Sequence, residues 1–370
     1  MAKNKYMTEL SKLPGAVTER YNPHLNVLQT PSPSVNFTFA NGWGLPAGYS
    51  MALYGPPKGG KSVICNAMIG QLHKDDVDAI AIKFNTEMRE TGQAFDPAIW
   101  GIDEDRYLAY DVNSAVKVFD YIQKDIKAQC QAGAPIKLIV IDSLNQLEGR
   151  ISEGMESVGD VVMGDDARTL GIGLKRILPV LREFKIALIV TTHLRAEMDA
   201  MKVRMTHRSY KMAASWAVQH FTEYFMFVEP ILGKDGKLNA FKQEMTNSGV
   251  KDLQGREDRT AHKVRVTMTD SSMGPSGRSG IFTFDYVNGI VNTYEEVFLL
   301  GVNRGVIQKP NNKTYVFGDN KWTGAPSMLL AIKENEDLYN SILKAVKQQD
   351  IDKKYPTVER NATLEEELAE

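Results

Sequence analysis

Cysteine is almost absent from this 370-residue sequence: only Cys65 and Cys130 occur. Two cysteines build neither a disulfide framework nor a thiolate metal centre by themselves. Long apolar runs are missing too. The cleanest, Leu138-Ile139-Val140-Ile141, is strand length, against the ~18 residues that a membrane span requires. Neither sign of charge dominates, with 44 Lys and Arg against 46 Asp and Glu and a net charge of −2. Any contact with nucleic acid therefore has to come from a local patch. The N-terminal Met-Ala-Lys-Asn-Lys-Tyr leads into polar sequence without the apolar core of a secretory signal. The expectation is a soluble, cytoplasmic protein with no membrane contact.

What is present is ordinary globular composition, 43% hydrophobic and 24% charged, which excludes a mostly disordered or fibrous chain. The length allows two or three domains. Residues 1–34 read as a short amphipathic helix over Tyr6–Arg20, interrupted by Pro14-Gly15, then a strand-like piece around Leu25, Val27 and Leu28. That segment is too small to bury its own core, so it should dock on the main domain or on a neighbouring subunit.

From 35 to 294 apolar strands alternate with helical patterns. The strands are Met51–Tyr54, Ala79–Phe84, Tyr107–Tyr110, Lys137–Ile141 and Ala187–Thr191; the helices are Ser62–Lys74, Ser114–Ala132 and Ala167–Lys185. Such alternation specifies an α/β fold with a mostly parallel sheet covered on both faces. Val264, Val266 and Met268 then alternate with polar residues, as do Phe282, Phe284 and Tyr286, which suits an antiparallel extension. Residues 295–356 read as helix, hairpin (Thr314–Phe317) and one long helix (Pro326–Lys347), a small α+β C-terminal domain. Residues 357–370 carry five acids against one arginine and read as a solvated, disordered tail.

Gly55-Pro56-Pro57-Lys58-Gly59-Gly60-Lys61-Ser62 fits the phosphate-loop pattern G-x-x-x-x-G-K-[ST], followed by Val63, and sits between a strand and a helix as that loop requires. Its glycines turn backbone N–H groups toward phosphates, and the helix N-terminus adds partial positive charge. Lys61 would reach the β- and γ-phosphates of ATP, and the Ser62 hydroxyl would ligate Mg²⁺. Asp142 emerges at the C-terminal end of a buried strand, the edge where ligands sit in open α/β sheets, and would hold Mg²⁺ directly or through water. Glu87 ends the second strand as the candidate base for the attacking water. His193 ends another, where a structural histidine and a γ-phosphate sensor are both open. Cys65, one turn into the helix, reads as core.

This ordered set resembles the RecA-type strand-exchange recombinases, and among them the bacteriophage UvsX-type subgroup. The resemblance covers roughly residues 20–350. It implies a RecA-type P-loop ATPase core, with Glu87 as catalytic glutamate and His193 where RecA has a γ-phosphate-sensing glutamine. It makes Gly159–Gly164 similar to the first DNA-binding loop, so that Met163 and Gly164 contact DNA, with Arg168 just after. Phe37-Thr38-Phe39-Ala40 matches the F-x-x-A oligomerisation motif of eukaryotic recombinases, but its place before the P-loop favours core packing. Tyr6–Leu28 is then the expected subunit bridge.

Two long polar segments follow Asp142 and His193. The first, about 148–166, is acidic and a poor phosphate binder by charge, although Met163 could wedge between bases. The second, about 195–213, carries Arg195, Lys202, Arg204, Arg208 and Lys211 against Glu197 and Asp199, with Ser209, His207 and Tyr210 interleaved. Cations with aromatics are the footprint of single-strand binding.

The function expected is ATP-dependent homologous recombination: a helical homofilament on single-stranded DNA, ATP between subunits, and strand exchange with duplex DNA. A single-strand binding protein and a loading mediator are the further partners such an assembly calls for. A hexameric RecA-fold helicase, a non-hydrolysing accessory paralogue and a small-molecule P-loop kinase are the rivals. One stretch departs from the family. Thr267–Ser272 has no cation where RecA and UvsX-type proteins place two basic residues near the neighbour's γ-phosphate. Asp270 could instead carry a bridging cation such as K⁺, with Arg278 as the competing trans element.

Overall fold

A computed structural model of the chain describes residues 5–12, 26–40, 42–89, 95–153, 164–198, 201, 204, 210–213, 216–231, 247–251 and 257–354. Its centre is a nine-stranded sheet. The strands are β1 (Ser50–Tyr54), β2 (Ile80–Asn85), β3 (Tyr107–Tyr110), β4 (Ile136–Asp142), β5 (Ala187–Thr192), β6 (Tyr224–Pro230), β7 (Ala261–Ser271), β8 (Ser279–Asp285) and β9 (Gly289–Val291). Their order is β9-β8-β7-β6-β1-β5-β4-β2-β3. The six strands from β6 to β3 run parallel, whereas β7, β8 and β9 extend the sheet antiparallel.

The inner parallel strands β1, β2, β4 and β5 are mostly apolar on both faces because both faces are covered, whereas the edge strand β3 is half exposed. α1 (Lys61–Asp75) lies over a core that includes Met51, Leu53, Leu138, Val140 and Ile189. The helical stretch Ala115–Gln131 and α2 (Asp165–Phe184) cover the other, with Ala52, Ile82, Ile139, Ile141 and Val190. Ala115–Gln131 has a π-helical turn, Tyr121–Ile126, in its middle. Cys65 is fully buried, as its position within α1 suggested.

The C-terminal part differs from its reading in two places. The hairpin is a three-stranded sheet, Gln308–Asn311, Thr314–Phe317 and Asn320–Thr323. After α3 (Thr293–Asn303), the expected single helix is two, α4 (Ala325–Glu334) and α5 (Glu336–Lys354). Asn335 divides them in an extended conformation, and its Oδ1 accepts from the Leu338 amide at 3.0 Å. Asparagine competes with helix continuation by offering the next turn a cap.

The segment before the P-loop belongs to the chain's own core. Val27 and Leu28 pair with Leu45 and Pro46, and Leu28 is buried, so this piece docks on its own subunit. Phe39 is fully buried against Tyr224, and Phe37 packs edge-on to Trp43, so the F-x-x-A residues pack inward. The helix Lys5–Leu10 keeps Met7 and Leu10 exposed, and residues 13–25 lie outside the described residues. Among the described residues, no helix is long and apolar enough to cross a membrane.

Candidate functional site

The P-loop connects β1 to α1 and is pressed against the neighbouring strands. A Cβ on Gly55 would lie 1.9 Å from the Val228 carbonyl oxygen, and one on Gly60, at φ +104°, would lie 3.2 Å from Val264. Both positions therefore demand glycine, one for space and one also for its left-handed backbone. Lys61 Nζ donates to the Gly55 and Pro56 carbonyls at 3.0 and 2.9 Å. Burial pulls its pKa below the ordinary lysine value, with Asp142 and Glu87 opposing the shift. Pro57, Lys58, Gly59, Gly60, Lys61, Ser62 and Val63 border a cavity of about 250 Å³, whose far side is formed by Glu87, Arg89, Asp142 and His193.

Asp142 ends β4 at the edge where the parallel strands finish. Its Oδ2 accepts from Ser62 Oγ at 2.7 Å and its Oδ1 from Thr191 Oγ1 at 2.5 Å. Burial would raise its pKa, but Lys83 at 3.6 Å and the two hydroxyls outweigh that and hold the carboxyl below the usual range. A hydroxyl and a carboxylate that meet at one point form a hard oxygen pair suited to Mg²⁺. Among the described residues, no group of three His, Cys, Asp or Glu side chains could hold a metal alone. Phosphate oxygens and water would complete the ligand set, as Mg²⁺ sites on nucleotides require.

Glu87 follows β2, and its carboxylate is the hub of a second cluster. Oε1 lies 2.9 Å from His193 Nε2 and accepts from Ser143 Oγ at 3.0 Å, while Oε2 pairs with Arg89 at 3.0 Å. His193 is positioned through its own backbone, whose N–H donates to Asn145 Oδ1 at 2.7 Å; its buried Nδ1 has no hydrogen-bond partner. The sheet order makes this possible. β2, β4 and β5 are consecutive neighbours, so residues that end them converge although 50 or more positions separate them.

Asp270 is not brought to this cavity. It lies six residues along β7 from Val264, about 20 Å at strand rise, and is exposed at the opposite end of the sheet. Any part it takes at a nucleotide is therefore at a neighbouring copy's. Arg278 is engaged at home: it pairs with Asp350 at 2.8 and 3.2 Å and lies over the Phe37 ring. The same carboxylate also receives Arg304 and, at 2.9 Å, the Trp43 indole N–H.

The ends of the cationic segment are not loop but paired strands, Leu194–Ala196 against Tyr210–Met212, with Arg195 opposite Lys211. Arg195 and Arg204 are exposed, whereas Lys211 is tied to Glu197 at 2.8 Å. Arg208 and Ser209 lie outside the described residues, as does Met163. Gly164 caps α2 at φ +87°, and Arg168 is exposed in its first turn. Two acids of the first segment have structural work. Asp165 Oδ2 accepts the Ile151 and Ser152 amides, and Asp166 Oδ1 the Gly149 amide, which fixes the segment's start to α2.

The structure adds residues that no local pattern announced. Lys83 beside Asp142 and Arg89 beside Glu87 both bring positive charge to the site. His262, Phe284 and Tyr286 form an aromatic wall on the same cavity, with ring centroids 5.0 to 5.6 Å apart. They come from the start of β7 and the end of β8, which antiparallel pairing sets side by side.

The chain is similar to curated proteins named RecA. It is 22% identical over 336 residues to RecA of Streptomyces avermitilis, covering 90% of this chain and 78% of that protein. It is 21% identical over 327 residues to RecA of Oleidesulfovibrio alaskensis, covering 86% and 82%. With RecA of Herpetosiphon aurantiacus the figures are 23% over 346 residues, 90% and 84%. No family model matches the chain. The parallel P-loop sheet with its antiparallel extension, together with this similarity along most of the chain, is that of a RecA-type α/β core.

Proposed function

We propose that this protein is a DNA-dependent ATPase of homologous recombination and repair. It assembles on single-stranded DNA as a helical homofilament, with ATP at the subunit interface, and exchanges strands with a homologous duplex. The observation that carries this reading is the Glu87–Ser143–His193 cluster, which faces the P-loop and continues directly into the cationic segment. His193 touches the candidate base, and Leu194 begins the strand that leads to Arg195. Base and DNA grip thus share one lever.

In hydrolysis Glu87 accepts a proton from water as the water oxygen bonds to the γ-phosphorus and the bridging oxygen leaves with ADP. Lys61 exchanges its two carbonyl partners for phosphate oxygens. Mg²⁺ held by Ser62 and Asp142 would neutralise charge on the β- and γ-phosphates. Glu87 is held by Ser143, His193 and Arg89; a γ-phosphate would compete for the Arg89 guanidinium and free that side of the carboxylate. Tyr286 and Phe284 offer the adenine a stacking face.

Arg195, Arg204, Arg208, Ser209 and Lys211 contact DNA phosphates, with Met163, Gly164 and Arg168 as the second contact region. Asp270 would hold a cation such as K⁺ that offsets charge on the neighbour's nucleotide. The helix Lys5–Leu10, with Met7 and Leu10 exposed, bridges to the next subunit. Residues 35–294 act as the ATPase core and 295–356 as a smaller domain. Within the family we place the chain with the bacteriophage UvsX-type proteins, on His193. Electron microscopy with ATP and single-stranded DNA tests the reading: helical filaments are expected, and closed rings or no assembly would overturn it.

A further inference from the structure

Lys83 lies on β2 with its side chain fully buried, on the sheet face that also carries Ala81, Leu138 and Val140. Its Nζ donates to Asn66 Oδ1 at 3.0 Å and lies 3.6 Å from Asp142 Oδ2. Asn66 stands one turn along α1 from Ser62, and Ser62 donates to that same Asp142 oxygen. A buried ammonium persists only where paired charge and hydrogen bonds offset its lost hydration. Here the pairing is with the carboxylate that would serve Mg²⁺.

We infer that Lys83 is a built-in counter-cation for Asp142, a positioning residue that sets how much Mg²⁺ the nucleotide site demands. Without metal, Lys83 balances the Asp142 charge and keeps the carboxylate joined to Ser62, so the P-loop helix and β4 stay in register. A divalent ion at that pair must share the carboxylate with a cation that cannot leave. The site is therefore weak for free Mg²⁺ and takes the metal together with phosphate charge, as Mg·ATP. The inference rests on the nucleotide reading above.

The test uses the full chain with Lys83→Met, which keeps length and removes charge, and Lys83→Arg, which keeps charge. Binding of a fluorescent ATP analogue is titrated with Mg²⁺, and metal-free thermal midpoints are measured in parallel. Lys83→Met should lower the Mg²⁺ half-saturation about tenfold, a modest share of the Coulomb energy between adjacent charges at protein-like dielectric. Lys83→Arg should stay near wild type. In the melts, Asp142→Asn should lower the metal-free midpoint by stranding the ammonium, and Lys83→Met/Asp142→Asn should regain most of that loss. An unchanged or raised half-saturation in Lys83→Met, or a double variant no better than Asp142→Asn, would overturn the inference while leaving the nucleotide reading intact. A wild-type chain that binds no nucleotide with Mg²⁺ would overturn both.

Discussion

The nucleotide edge and the two polar segments beyond it are built on opposite principles. At the edge, Lys61, Asp142 and Lys83 are buried and hydrogen-bonded: Lys61 to carbonyls of its own loop, Asp142 to Ser62 and Thr191, and Lys83 to Asn66. In the segments, Arg168, Arg195 and Arg204 are exposed. On the proposed reading, Asp142 and Lys83 keep their fixed partners as the edge takes up compact charge, so little there has to reorganise at the moment of reaction. The segments keep these cations in water, where on the proposed reading they would gain by releasing counterions from a long polyanion. On the proposed reading, one side would hold a small anion in a fixed pose and the other a flexible strand.

The sharpest way to break this contrast is Lys61→Ala. It should abolish nucleotide binding and ATPase activity altogether, as fluorescent-nucleotide titration and phosphate release would record. Glu87→Gln should separate two functions of the edge: nucleotide binding is kept while hydrolysis falls at least about a hundredfold, the usual value of a positioned base. Near-normal turnover would remove Glu87 from that role.

The segments should respond by degree and not by loss. Arg195→Ala and Arg204→Ala should each lower the salt slope of single-strand binding by about 0.7, with nucleotide binding untouched. Lys211→Ala should do less, because Glu197 already engages that ammonium. Equal effects from all three, measured by anisotropy across a salt series, would show that exposure does not decide which cations grip DNA.

The smallest effect expected lies away from both regions. Glu296 is buried, accepts from Ser32 Oγ at 2.6 Å and the Ser34 amide at 2.9 Å, and leaves Oε1 without a partner. Burial pushes its pKa up to about 8. The stability it contributes is intact below the ordinary carboxylate range and is lost as pH rises through about 8. Wild-type melting temperature should therefore fall between pH 5 and pH 8 by an amount worth roughly 1–3 kcal/mol, and Glu296→Gln should flatten that slope.

How much of this was legible in the sequence depends on where the information sits. The P-loop is consecutive residues after a strand, and Asp142, Glu87 and His193 each end or follow a strand, so local reading offered them as candidates. That their side chains meet depends on the strand order β5-β4-β2, which no single run encodes. Lys83 was invisible for a related reason. A lysine within a strand reads as its solvent side, and only the cover of α1 makes it an interior charge. The aromatic wall needed the register that brings His262 opposite Phe284. Asp165 and Asp166 read as loop acidity, but their partners are backbone amides, which carry no residue signature.

The Asp350 cluster has a practical consequence for where this chain can be cut or joined. Asp350 lies four residues before the end of α5, and it receives groups from Trp43, Arg278 and Arg304, three separate parts of the molecule. A version that stops at Gln349 would leave two half-buried guanidinium groups facing no carboxylate, which is strongly destabilising. One that runs through Lys354 keeps the rivet and loses only residues 355–370. The boundary for a shortened or fused protein thus falls in a window of four residues, 351 to 354, and a fluorophore or affinity handle belongs beyond it.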